Sequence, residues 1–187
     1  MTSAHAFHPS TTEDLSAPTG LWATPNDGKS VAQRFAHYAA RTATLDFSNI
    51  LHKVRHPNPN IGYGWSEEFS NRLEKEYRIF FAMHAAFPEL WLPPSRVMDL
   101  FWHEHILDTH AYFADCQQVA GRYLHHLPYF GMRNPEDAVL CVAALNSEHQ
   151  LYLHCVGKEP PRDLWIVGFT EDEMRALVAG RYLSEIV

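Results

Sequence analysis

The chain has 187 residues, 46% of them hydrophobic and 20% charged, with a formal net charge of −7. That length suits a single domain with a real hydrophobic core. The acidic balance argues against a nucleic-acid binder, and no apolar run approaches the ~20 residues of a membrane span, the densest being Ala138 to Leu145.

Met1 to Pro9 carries neither a basic n-region nor an apolar h-region, so a secretory signal is not expected. Residues 1–30 are rich in Ser, Thr, Pro, Gly and Asp without periodicity and read as a flexible tail, with Leu21 and Trp22 able to dock on the body. Residues 31–187 read as one helical domain. Val31 to Ala43 suggests a short helix through Phe35 and Tyr38. Leu45 to Val54 suggests a second, with Leu45, Ile50, Leu51 and Val54 inward. Pro57-Asn-Pro-Asn60 and Gly62-Tyr-Gly64 mark a loop.

Ser66 is a good N-cap, with Glu67 and Glu68 where they complement the helix dipole. The helix it opens should reach about Ala86, with Phe69, Leu73, Tyr77, Phe80, Phe81 and His84 at helical spacing. His84 is expected to face the next helix. Pro88 closes the first of these elements, and Ser95 caps the second, which should pack antiparallel to it. Asp108-Thr109 can restart that second helix after a kink, and Gly121 fits its C-cap. Arg122 to Met132 reads as irregular. Asn134-Pro135-Glu136-Asp137 combines an N-cap, a proline at N1 and two acids, and starts a helix to about Val156. Trp165 to Phe169 suggests a short extended piece, and Thr170 to Glu173 a capping box for a last helix. The expected fold is mostly α: a single compact domain of about five to seven helices with irregular Pro/Gly-rich loops.

Chemistry concentrates in Asp99-Leu-Phe-Trp-His-Glu-His-Ile-Leu-Asp-Thr-His110 and the following Tyr112, Cys116, Gly121 and His125-His126. Five of the thirteen histidines fall between His103 and His126. Imidazole is the commonest protein ligand for transition metals and the usual proton shuttle near neutral pH. On a helix at about 100° per residue, Asp99, His103, Ile106 and His110 share one face, while His105, Tyr112 and Cys116 share another. His103 and His105, about 200° apart, should not ligate one ion on a regular helix. The coherent ligand set is Asp99 and His103 at i, i+4, completed from the loop by His126 or His125, with His110 joining if the helix runs straight. Two histidines and a carboxylate leave open positions on a divalent transition metal such as Fe, Zn or Cu. His105 and Tyr112 are then acid–base groups or the partners that orient the ligands.

Other templates fail. Leu107 stands where a zincin would place its second histidine. There is no Walker loop, no GxGxxG and no GxSxG elbow. Cys116, Cys141 and Cys155 form no CxxC pair, which disfavours a disulfide framework and fits a reduced, cytoplasmic protein. A nucleophile built from Cys116 and His105 is disfavoured by their eleven-residue separation.

Val97 to Tyr112, Asp115-Cys116 and Gly121-Arg-Tyr-Leu-His-His-Leu-Pro-Tyr-Phe-Gly131 together resemble the glycine-rich-domain-containing-protein-like family, with its WHxH signature, in its small stand-alone bacterial form. The resemblance spans about Leu45 to Leu151. The family's motif positions map onto Asp99, Trp102, His103, His105, Tyr112, Cys116, Gly121 and His126, and the resemblance implies that Asp99, His103, His105 and His126 form one site without implying a particular reaction. Plant members depart at the His126 position. Two functions remain open at this stage. One is a metal-dependent enzyme acting on a small molecule or peptide in biosynthesis, through Asp99, His103 and His126. The other is a non-catalytic protein-interaction or regulatory module whose WHxH segment is a structural core.

Overall fold

The computed structural model describes residues 28–166, with Thr170 and Glu173. Six helices follow in order: α1 (Val31–Thr42), α2 (Ser48–Arg55), α3 (Glu67–Ala86), α4 (Arg96–Leu107), α5 (Thr109–Ala120) and α6 (Pro135–Val156). No strand occurs among the described residues. The architecture is the expected mostly α one. None of these helices is long and apolar enough to cross a membrane.

Local sequence sets most helix ends. Ser30 and Gln33 form a reciprocal capping box at α1, the Gln33 amide donating to Ser30 Oγ at 3.2 Å and the Ser30 amide to Gln33 Oε1 at 2.9 Å. Ser66, Ser95 and Asn134 cap α3, α4 and α6 in the same way, each side chain accepting an amide of the first turn. Thr170 and Glu173 form the expected capping box, Glu173 Oε2 accepting the Thr170 amide at 2.6 Å. The expected N-terminal tail, and any helix beyond Glu173, lie outside the described residues.

One boundary differs from expectation. The second helix begins at Ser48, not Leu45. Asp46 Oδ1 accepts the Ser48 amide at 2.9 Å, a side-chain turn that competes with helix. Leu45 and Phe47 are still buried, but from the α1–α2 connection. Arg78 of α3 holds that connection down by donating to the carbonyls of Thr42 and Leu45 while lying over the Phe47 ring. At the other end, amide bonds from Leu164 and Trp165 to the Pro161 carbonyl form a turn, and residues 167–169 of the expected extended piece lie outside the described residues.

The core is an aromatic seam between α3 and α4. Tyr77 meets Phe101 and His105, while Phe80 and His84 meet Trp102, so the two helices run in opposite senses. Glu76 ties the far side together: its Oε2 accepts from Tyr152 Oη at 3.0 Å and from Trp165 Nε1 at 2.8 Å. The turn before α3 packs equally tightly, because a Cβ on Gly62 would lie 1.9 Å from the Lys53 carbonyl oxygen.

Glu148 of α6 departs from this polar pairing. It is 2% exposed, and its Oε1 finds no hydrogen-bond partner among the described residues. Burial holds its carboxyl protonated well above the usual carboxylate range. A raised folded-state pKa gives stability that is complete below the unfolded value and is lost as pH rises. Relative to Glu148→Gln, the wild type should therefore lose stability as pH climbs above 4.5, the ordinary value of the group. The slope should approach about 1.4 kcal/mol per pH unit. Denaturant melts of both proteins from pH 5 to 8 measure it, and parallel curves would refute the buried neutral acid.

Candidate metal and substrate site

The WHxH segment lies on α4, and the helix period divides its residues between two environments. Asp99 and His103, one turn apart, are on the outer side with side chains 31% and 42% exposed. Trp102 and His105 are on the inner side, 2% and 0% exposed.

The chain then breaks. Asp108, at φ −79° and ψ 73°, ends α4, and its side chain accepts the Ala111 amide at 3.3 Å to start α5. The break leaves His110 exposed and apart from the other ligand candidates. It brings α5 back against the inner face of α4. Asp115 Oδ2 lies 3.0 Å from His105 Nε2, and Tyr77 Oη lies 2.8 Å from His105 Nδ1. A carboxylate can only accept, so His105 Nε2 donates to Asp115 while Nδ1 faces the Tyr77 hydroxyl. Both ring nitrogens of His105 are thus used inside the core.

Tyr112 connects this core to the loop beyond. Its hydroxyl accepts from Trp102 Nε1 at 3.0 Å and donates to the Leu124 carbonyl. Burial pushes its pKa far above the ordinary phenol range. Cys116 lies beside it, fully buried, with its thiol pKa raised chiefly by desolvation, the condition of an unreactive cysteine.

Gly121 ends α5 at φ +67°, a left-handed position that suits glycine, and the chain turns into the loop that carries His126. Leu124 anchors this loop at 2% exposure. Asp137 fixes its far end by accepting the Gly131 amide at 2.7 Å and the Arg133 amide at 3.2 Å. Between these anchors His126 reaches α4. Its Nε2 donates to Asp99 Oδ1 at 2.7 Å, and its ring stands edge-on to Trp102 at 4.6 Å. His103 Nε2 lies 3.5 Å from the other Asp99 oxygen, and the two imidazole centroids are 4.9 Å apart. One ligand atom from each of Asp99, His103 and His126 lies within 4.8 Å of the others. His125, which the sequence left as the other choice, is exposed and stands against Tyr123 instead.

The structure thus gathers the three residues expected as ligands and separates them from the two expected as acid–base groups. His105 and Tyr112 lie behind Trp102, fully paired in the core.

Beside the trio lies a cavity of about 560 Å³, within the range of small-molecule sites. Asp99, His126 and Trp102 form one wall, and apolar groups such as Leu92, Phe130 and Leu145 form much of the rest. His84 faces α4 as expected, its ring 5.0 Å from Trp102, and it also lines the cavity. His84 Nε2 donates to the Leu92 carbonyl at 3.0 Å, and burial lowers its pKa to about 4, so it stays neutral under ordinary conditions.

The sequence model of the UCP032817-like family matches residues 41–143, more than half of the chain. The protein belongs to the UCP032817-like family. The matched segment holds Asp99, His103 and His126 together with His105, Tyr112 and Asp115, so the trio and the core behind it fall inside the family region. No curated protein and no solved structure matches this UCP032817-like chain at a significant level.

Replacing Tyr112 by Phe should destabilise the protein by about 1–3 kcal/mol, because it strands the Trp102 indole N–H and removes a donor from the Leu124 carbonyl in the interior. Thermal and denaturant melts read the loss. An unchanged midpoint would mean that the hydroxyl does not hold the loop.

Proposed function

We propose that this protein is a metal-dependent enzyme whose ion is held by Asp99, His103 and His126 and whose substrate occupies the adjoining cavity. The observation that supports this reading most is the convergence of two imidazoles and one carboxylate, from two separate segments, beside a cavity of about 560 Å³.

The donor set fits a first-row divalent ion. Ligand atoms about 2.1 Å from a metal lie roughly 3 Å from one another. Asp99 already stands 2.7 Å from His126 and 3.5 Å from His103, so modest side-chain rotation completes the set. Two nitrogens and one carboxylate suit iron, zinc or copper and leave positions open for substrate or water. A bound ion there supplies Lewis acidity or redox chemistry. The protein contributes the rest. Trp102 packs against the His126 ring, Tyr112 holds Trp102 and the loop before His126, and the helix fixes His103 one turn from Asp99. His126 Nε2 would carry its lone pair to an ion once the proton it donates to Asp99 shifts to Nδ1, the other tautomer of the ring. The WHxH resemblance groups Asp99, His103 and His126 with His105 in one site, and the first three supply the proposed ligands. A biosynthetic setting and a cytoplasmic location belong to the same proposal.

A second reading, the non-catalytic interaction module, is favoured by one observation: His105 and Trp102 are buried and fully hydrogen-bonded, as a structural core requires. In that reading the Asp99–His126 bond only clasps the loop to α4.

Elemental analysis separates the two. After incubation with Fe(II), Zn(II) or Cu(II) and gel filtration, the wild type should retain close to one ion per chain. His103→Ala and His126→Ala should lose it while remaining folded by circular dichroism. His105→Asn should retain the ion to the extent that it remains folded. A folded wild type that retains none of the three metals would overturn the enzyme reading and leave the clasp.

A further inference from the structure

The cavity beside the trio is sorted by polarity. Trp91, Leu92, Phe130, Val142 and Leu145 give it an apolar body. The charged groups on its wall are Glu89, Asp99, Arg96 and Arg122, with His84, His125 and His126. Arg96 already has a partner. Arg122 is held differently. It follows Gly121 on the loop that carries His126, and its Nη2 donates to the His84 carbonyl at 3.0 Å. That is its one hydrogen bond among the described residues, which leaves most of the five guanidinium donors available. The bond fixes the group at the cavity wall, since His84 itself lines the cavity and stands 5.0 Å from Trp102. A planar guanidinium pinned at one nitrogen is suited to receive a carboxylate at the others.

From this arrangement we propose that the substrate is a small amphipathic carboxylic acid, its carboxylate held by Arg122 and its apolar body lying in the cavity between the Trp91 side and α6. The proposal rests on the metal reading of the site, because Asp99 would otherwise oppose a second anion on the same wall. With an ion on Asp99, His103 and His126, that wall becomes net positive and favours an acid. Glu89 is the remaining acid on the wall, and it disfavours dianions more than monoanions.

The test uses octanoate, octanol and octylamine as probes in calorimetric titrations of the zinc-reconstituted full chain, with zinc content measured on the same samples. Octanoate should bind saturably, more tightly than octanol and octylamine. Arg122→Met should weaken octanoate by about tenfold or more while leaving octanol and zinc content unchanged. Arg122→Lys should recover part of the loss. Leu145→Trp, which fills the cavity, should remove binding of both octanoate and octanol. Octanoate binding that equals octanol binding, or that ignores Arg122→Met, overturns the assignment of the acid. Binding that survives Leu145→Trp overturns its placement in the cavity. Normal zinc content with no preference for the acid refutes the substrate class alone. Arg122-dependent octanoate binding to a folded chain that retains none of Fe(II), Zn(II) and Cu(II) refutes the metal reading alone.

Discussion

The hydroxyl of Tyr112 joins the three parts on which the site depends. It accepts from Trp102 on α4, it donates to Leu124 on the loop, and it belongs to α5. Leu124 is two residues before His126, so this bond sets where the loop leaves the core. Trp102 is the wall on which the His126 ring rests. Neither contact would exist if α4 and α5 were one straight helix. The break at Asp108 turns α5 back, and the side chain of Asp108 replaces the lost intrahelical partner with its bond to Ala111. A single capped interruption therefore brings Tyr112 to Trp102, Asp115 to His105 and, through Gly121, His126 to Asp99.

Two histidines separated by one residue have opposite duties because a helix rotates about 200° between them. His103 stays at the surface beside Asp99, where water can be exchanged for a ligand. His105 is enclosed by Phe47, Tyr77, Phe81 and Tyr112 and spends both nitrogens on protein partners. Burying an imidazole is costly unless both nitrogens are paired, and Tyr77 and Asp115 meet that requirement from different helices. This division fits a rigid support behind an exposed ligand face. The support is made of side chains too well packed to meet a substrate directly.

What could be read from the sequence follows the range of the interaction involved. Caps at Ser66, Ser95 and Asn134-Pro135 depend on three or four neighbouring residues, and they lie where the sequence placed them. The start of α2 misled because Leu45 and Phe47 are apolar for tertiary reasons, buried under Arg78, while Asp46 turns the backbone away from helix. Asp99 and His103 were legible as a pair because i, i+4 spacing is local. His126 could only be narrowed to one of two adjacent histidines, since the choice depends on how Leu124 and Asp137 pin the loop. Tyr77 as the partner of His105, and Arg122 as the partner of the His84 carbonyl, carry no local signal at all, because they meet across 28 and 38 residues.

The same reasoning orders the site by how much each part can move. The floor of the cavity, Trp102, is held by a hydrogen bond to a buried tyrosine and by packing on Phe80, His84 and His126. His84 is fixed as a neutral ring against the Leu92 carbonyl, so it adds no charge to the cavity across the physiological range. The groups nearest solvent are His103 and Asp99, and Arg122, which is pinned at one nitrogen by the His84 carbonyl and keeps its other donors open. An incoming ion and an incoming acid would thus meet adaptable groups on a rigid base. Ordering a few side chains on such a base costs far less than ordering a loop, so under the proposed reading affinity would follow the chemistry of the donors more than any refolding.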